Sequence, residues 1–354
     1  MIGKRLKLAR QGSGLSLREL EAKIDKLVSA QAIGKYERDE MMPNSTTLIA
    51  LARALGVSED YLLGQSDLEL EGLEFRKKKI TSKKEEAHVQ ACVLSHVERY
   101  LAIEDIIHAP SMEWDRPREA PFPVYELKDA ELVAERLRVH WQLGTDPIPN
   151  LVEFLEAEGI KVLSLPLADN VSGLTCWVKP RDRKPVPVIV VNSNDKGERQ
   201  RFTLVHELGH MVLSVPADLN EEKVAHRMAS AFLMPASILW LEIGKRRSRL
   251  TIAELLELKR LFGVSVQALT YRCRELEIID RYTFQFLFTE FSRRGWNTRP
   301  YNQPYEIPLE EPKRFERLCF RALSENAISE AKAAELLGLS VRDLLAKMES
   351  TFLE

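Results

Sequence analysis

Cysteine is scarce in this sequence and never clustered. Cys92, Cys176, Cys273 and Cys319 show no C-x-x-C spacing, which excludes a cysteine metal cage or disulfide framework and leaves reduced, buried thiols as the expectation. Long apolar runs are also missing: no stretch approaches 18 uninterrupted apolar residues, so no single helix is expected to span a bilayer. The opening MIGKRLKLAR is basic but has no apolar run after it; a cytoplasmic protein without a membrane partner is expected. Nor is there a charge excess. With 51 Lys and Arg against 53 Asp and Glu, the net charge of −2 gives no global pull toward nucleic acid, and any basic surface must be local. The 45% hydrophobic and 29% charged content over 354 residues is ordinary globular material, enough for two or three domains.

Residues 1–65 read as five short helices. Ile2, Leu6 and Ala9 mark the first; Ser16 with Glu19 forms a capping box for the second, whose buried stripe is Leu17, Leu20 and Ile24. After the turn Asp25-Lys26-Leu27, Ser29 caps a third helix that turns Val28, Ile33 and Tyr36 inward and leaves Ala30, Gln31, Gly34 and Lys35 outward. Gln31 has the amide that pairs bidentately with adenine. Helices over 46–55 and 59–63 complete the bundle. Through Arg38 there are nine Lys or Arg and four acids, a local excess suited to phosphate.

The runs S-L-R-E-L, V-S-x-x-x-I-x-K-Y-E-R, P-N-S-x-x-L-x-x-L-A-x-A-L-G-V and S-x-D-Y-L-L-G resemble the XRE family of helix-turn-helix regulators over nearly all of residues 1–65. The departure is Asp25-Lys26-Leu27, where such domains usually carry A-G-V. The resemblance implies a five-helix, lambda-repressor-like bundle, a homodimer reading double-stranded operator DNA, and DNA contact through Arg18, Ser29, Ala30, Gln31 and Lys35.

Residues 66–123 read as a charged linker and a helix. Arg76-Lys77-Lys78-Lys79 and Lys83-Lys84 suit a solvated segment; Val89, Cys92, Val93, Val97, Tyr100 and Leu101 then predict a helix over 85–108. Four prolines in 110–123 predict a linker or ordered crossover. A second globular unit, 124–245, opens with helices over 127–143 and 148–158. Three strands follow, over 160–165, 171–178 and 187–192.

The chemistry sits in Arg199 to Met211, RQRFTLVHELGHM. His206 and His210 at i and i+4 share one helix face and can reach one Zn²⁺, with Glu207 placed to take a proton from water on the metal. Catalytic zinc needs a third protein ligand. On the next helix, in NEEKVAHRMASAFLMP, Glu222 and His226 again lie at i and i+4, and either can complete the site. Glu221 reads as an exposed cap residue. Ser172-Gly173-Leu174-Thr175 is the candidate edge that pairs with a substrate backbone.

R-F-T-L-V-H-E-L-G-H, the V-S-G and V-I-V-V-N strands and E-K-x-x-H-R-M-A-x-A-F-L-M-P together resemble the ImmA/IrrE family of metallopeptidases, some of which cut XRE-type repressors. The resemblance runs from about residue 124 to 280. It implies a zincin-like α+β domain, Zn²⁺ held by His206 and His210, and Glu207 as general base. Where many members carry Glu-Ala-Asn, this chain has Val224-Ala225-His226; Glu222 matches a glutamate two residues earlier and is preferred as third ligand, with His226 as alternative. Residues 246–354 predict helix pairs over 252–278 and 328–348 for packing or dimerisation, with the aromatic stretch 282–296 docking them on the enzyme domain. The expected fold is multidomain, mostly α with a small α/β part. Its expected function is a DNA-binding regulator bearing a zinc endopeptidase of HEXXH type that cleaves a repressor-type protein, a toxin-antitoxin partner or itself. The alternative is an antitoxin-like or prophage-type repressor whose metallopeptidase domain is a non-catalytic scaffold.

Overall fold

The computed structural model describes residues 2–64, 68–71, 83–109, 113–114, 116–181, 183–298 and 301–350; the basic run at 76–79 lies outside them. Side-chain caps decide where the first helices begin. Helix α1 (Gly3–Gly12) is followed by α2 (Leu17–Lys23), where Ser16 and Glu19 form the expected reciprocal box, and by α3 (Ala30–Glu37), capped by Ser29. Asn44 caps α4 (Ser45–Leu55), which stops at the left-handed Gly56, and α5 (Glu59–Leu63) closes the bundle. Leu6, Leu20, Ile33, Leu51 and Leu62 fill its core. Asp25 and Lys26 both take positive φ in the turn between α2 and α3, the conformation that the more usual glycine turn adopts without a Cβ. Gly34 corrects an expectation: it is buried rather than outward, because a Cβ there would lie 3.6 Å from Leu17 and 3.3 Å from the Arg38 guanidinium.

Strand β1 (Glu69–Glu71) lies in the charge-dense stretch expected to be solvated. Its pairing has a simple cause: Leu68 and Leu70, two residues apart, both point into an apolar cluster with the next helix. That helix, α6 (Lys83–Ile106), is touched on three sides. Val89, Val93, Val97 and Leu101, at four-residue spacing, pack on a sheet; Tyr100, Ile103 and Ile107 pack on C-terminal helices. On the third side Glu98 pairs with Arg5 at 2.5 Å, and His88 Nδ1 meets the Gln11 carbonyl at 3.0 Å.

The short β2 (Phe122–Pro123) precedes α7 (Asp129–His140) and α8 (Leu151–Ala157), then β3 (Lys161–Leu165), β4 (Gly173–Lys179) and β5 (Val186–Asn192). The sheet order is β1-β4-β5-β3, with β3 parallel to β5 and the other pairs antiparallel. Every residue of β5 is buried. Val186, Val188 and Val190 face α6, whereas Ile189 and Val191 face the opposite layer, so alternation is hidden by burial on both sides. That layer holds α9 (Gly197–Val212), β6 (Leu213–Ser214, paired with β2), α10 (Glu221–Leu233) and α11 (Ala236–Ile243). Helices α12 (Ile252–Phe262), α13 (Val266–Glu275) and α14 (Arg281–Arg293) continue the same core, which runs from Phe122 to Trp296 across residue 245. From the aromatic stretch Leu287, Phe291 and Trp296 enter it, while Tyr282 and Phe286 stay exposed. Helices α15 (Arg314–Ser324), α16 (Glu330–Leu337) and α17 (Val341–Ser350) form their own cluster against α6. Three cysteines are buried, with burial pushing each thiol up to about 12, and Cys92 is only half-buried.

Polar groups are sealed between these layers. Lys161 and Glu104 pair at 2.9 Å with both side chains almost fully buried, and the ammonium lies 3.7 Å from the Tyr100 ring centroid. Beside them Glu156, 2% exposed, accepts the Arg314 backbone N–H at 3.2 Å. Burial pushes its carboxyl up to about 7 from 4.5; neighbouring Glu153 adds to the shift, while Lys161, Arg317 and the Arg314 amide oppose it. The native state therefore keeps a proton that the unfolded chain gives up between pH 4.5 and 7, so stability falls as pH rises through that window. Glu156→Gln should stabilise the protein at pH 8 by on the order of 2 kcal/mol, with the gain vanishing near pH 4.5. Urea melts at the two pH values check this; equal gains at both would refute it.

Candidate metal centre

The four-residue spacing on α9 sets His206 and His210 side by side, with ring centroids 4.9 Å apart and their Nε2 atoms 3.2 Å apart. Helix α10 starts at Asn220, whose Oδ1 accepts the Lys223 amide, and so places Glu221 and Glu222 in its first turn. Glu222 Oε2 lies 3.2 Å from His206 Nε2, and Oε1 lies 3.6 Å from His210 Nε2. Ligand atoms of His206, His210 and Glu222 all fall within 4.8 Å of one another. Tetrahedral zinc with bonds of about 2.0–2.2 Å has ligand-to-ligand edges of about 3.3–3.6 Å, so this donor set fits one such ion. The two helices approach closely at Gly209, where a Cβ would meet Ala225 Cβ at 3.3 Å and Met228 Cε at 3.2 Å.

His226 stands one turn further along α10. Its Nδ1 meets the Glu222 carbonyl at 2.9 Å, and its ring packs 4.5 Å from that of His206, but it is not among the three converging donors. Glu221 is more than an exposed cap. It is half-buried, with Oε1 3.2 Å from His210 Nδ1, the contact that fixes a tautomer and directs Nε2 toward a metal. The adjacent pair Glu221-Glu222 at a helix start was the available signal, since one carboxylate can bond the metal while its neighbour orients a ligand.

Glu207 is buried beside the beginning of β4. A Cβ on Gly173 would lie 3.3 Å from Glu207 Cγ, 2.5 Å from Thr203 Cγ2 and 2.9 Å from the Val190 carbonyl, so only glycine allows this approach. Ser172 Oγ accepts from Arg199 Nε and Nη2 at 3.1 and 2.6 Å, a contact between the first turn of α9 and the start of β4 that local spacing does not signal. Leu174 faces the α6 side of the sheet. Strand β1 pairs with β4 only over Trp177–Lys179, at the end away from Glu207.

The five residues expected to meet DNA lie on α2, at the start of α3 and along it. Arg18, Ser29, Gln31 and Lys35 are exposed and Ala30 is half-buried; the Ser29 hydroxyl is engaged by the Ala32 amide at 3.2 Å. Among the described residues no single helix is long and apolar enough to cross a membrane.

Residues 155–274 match the IrrE N-terminal-like domain family, and residues 6–62 match the helix-turn-helix family. Over 67 residues, 19% of this chain, the sequence is 39% identical to the HTH-type transcriptional regulator ImmR of Bacillus subtilis (strain 168). The match spans about half of that relative, 51% of its length. An XRE-type helix-turn-helix domain and an IrrE/ImmA-like domain of the peptidase type are thus joined in one chain.

Proposed function

We propose that this protein is a DNA-binding regulator whose second domain is a zinc-dependent endopeptidase, cleaving a repressor-type protein or its own chain. The observation that carries the reading is the convergence of His206, His210 and Glu222 beside the buried Glu207. Their Nε2 and carboxylate atoms would hold Zn²⁺, which when bound supplies the Lewis acidity that brings the pKa of water to about 7. Glu207 takes the proton as the water oxygen attacks the peptide carbonyl carbon, and delivers it to the nitrogen as the C–N bond breaks. The backbone of the substrate lies along Ser172, Gly173 and Leu174, within reach of that carboxylate. Glu221 holds the His210 ring through Nδ1. On the other domain, Gln31 and Lys35 are free to meet base edges and phosphates.

A second reading draws on ImmR, described as a transcriptional regulator: DNA binding is then the whole function and the peptidase-like domain is a non-catalytic scaffold. Glu207→Gln separates the two. It should keep about one zinc per chain while cleavage of a candidate repressor falls by about 10²–10⁴; a regulatory effect in cells that survives this substitution supports the scaffold instead.

Two further outcomes test the ligand set. Glu222→Ala should abolish stoichiometric zinc, Glu221→Ala should weaken it by about 10–100-fold, and His226→Ala should leave it in place. Metal analysis after dialysis against a graded chelator reads all three, and full zinc in Glu222→Ala would remove this carboxylate from the site. Gln31→Ala with Lys35→Ala should weaken duplex binding without changing zinc content; unchanged binding would take the reading face away from α3.

A further inference from the structure

Far along the chain from α3, the loop between α11 and α12 (244–251) carries Lys245, Arg246, Arg247 and Arg249 and no acid of its own, with Glu242 and Glu254 in the flanking helices. Arg247 is satisfied: its guanidinium pairs with Glu254 at 3.0 Å, and its amide bonds the Ile278 carbonyl at 2.7 Å. Lys245, Arg246 and Arg249 are exposed and form no ion pair among the described residues. The loop is tied to the start of α14, where Thr283 Oγ1 bonds the Ser248 carbonyl at 3.1 Å. That contact brings exposed Arg281 and Tyr282, the latter 81% exposed, alongside it. Trp240, 38% exposed, lies under Lys245 with the ammonium 5.6 Å from its ring centroid. Of the other acids close in sequence, Asp280 caps the Thr283 amide and Glu277 is exposed.

We propose that Lys245, Arg246, Arg249 and Arg281, with Tyr282, form a second contact surface for the phosphate backbone of duplex DNA. Unpaired arginines present forks that match phosphate oxygens, and a cluster of cations with an aromatic beside it suits a polyanion better than an isolated ion. Duplex DNA is the polyanion favoured here because the same chain carries a helix-turn-helix domain. The surface reads no bases; it adds affinity that salt removes. It stands apart from the peptidase reading, since none of its residues belongs to the metal centre.

The test is fluorescence anisotropy of the full chain with a labelled random 40-base-pair duplex over a salt series. Lys245→Ala, Arg246→Ala, Arg249→Ala and Arg281→Ala together should lower the slope of log affinity against log salt by about 3 and weaken binding on the order of tenfold or more near physiological salt. Arg246→Lys with Arg249→Lys should keep most of the slope. In the Gln31→Ala, Lys35→Ala background a salt-sensitive residue of duplex binding should persist. An unchanged slope in the fourfold variant overturns the proposal, as does tighter capture of polyglutamate or of phosphatidylglycerol vesicles than of the duplex. Zinc content and circular dichroism confirm that each variant is folded.

Discussion

Everything at the candidate metal centre depends on α9 being held from every side. Two imidazoles one turn apart can share an ion only if their helix neither rotates nor frays, and along α9 only Arg199, Phe202 and His210 escape burial. Its first turn is clamped by the chain after Tyr301: a Cβ on Gly197 would strike the Ile307 and Pro308 carbonyls at 2.3 Å, and Gln200 exchanges two hydrogen bonds of 2.9 Å with the Glu310 backbone. Glu310 itself pairs with Arg201 and accepts the first two amides of α8 at 2.7 and 2.8 Å. A buried pair, Lys259 with Glu198 at 2.9 Å, fastens α12 to the same turn. Breaking one member of such a pair is costly because the other charge stays buried, so the C-terminal segments are structural parts of the site although none touches it.

On the far side of α10 a second set of charges sets the approach of α9 and α10. Arg227 pairs with Glu131 at 2.6 Å and Glu275 at 3.0 Å, and the fully buried Arg272 joins Glu131 and the Met234 carbonyl. These contacts lock α10 to α7 and α13. With Gly209 admitting Ala225 from the other side, Glu222 has little freedom to leave the histidines.

Local signals made much of this legible in the sequence. Ser16 with Glu19, Ser29 and the four-residue histidine spacing are written within a few residues of where they act, because caps and helix faces are short-range physics. Spacing alone left Glu222 and His226 both open as third donor, and the contact of Glu221 with His210 was signalled only by its place beside Glu222, since both carboxylates meet partners on another helix. Glu310 was invisible for the same reason at longer range. Strand β1 was hidden by composition: three residues with two glutamates read as solvent, and only the leucines at 68 and 70 turn the segment inward. The continuous core across residue 245 likewise reflects packing between distant segments and leaves no mark in spacing.

Strand β1 gives the molecule a mechanical connection between its two modules. It follows the helix-turn-helix domain directly, and the Lys4 ammonium holds the Leu68 carbonyl at 3.4 Å; its other edge is hydrogen-bonded into β4, the strand that begins against Glu207. With Arg5 anchored on α6 as well, the DNA reader is not a bead on a string. Moving one module relative to the other would therefore mean giving up the Arg5–Glu98 pair and the β1–β4 hydrogen bonds together.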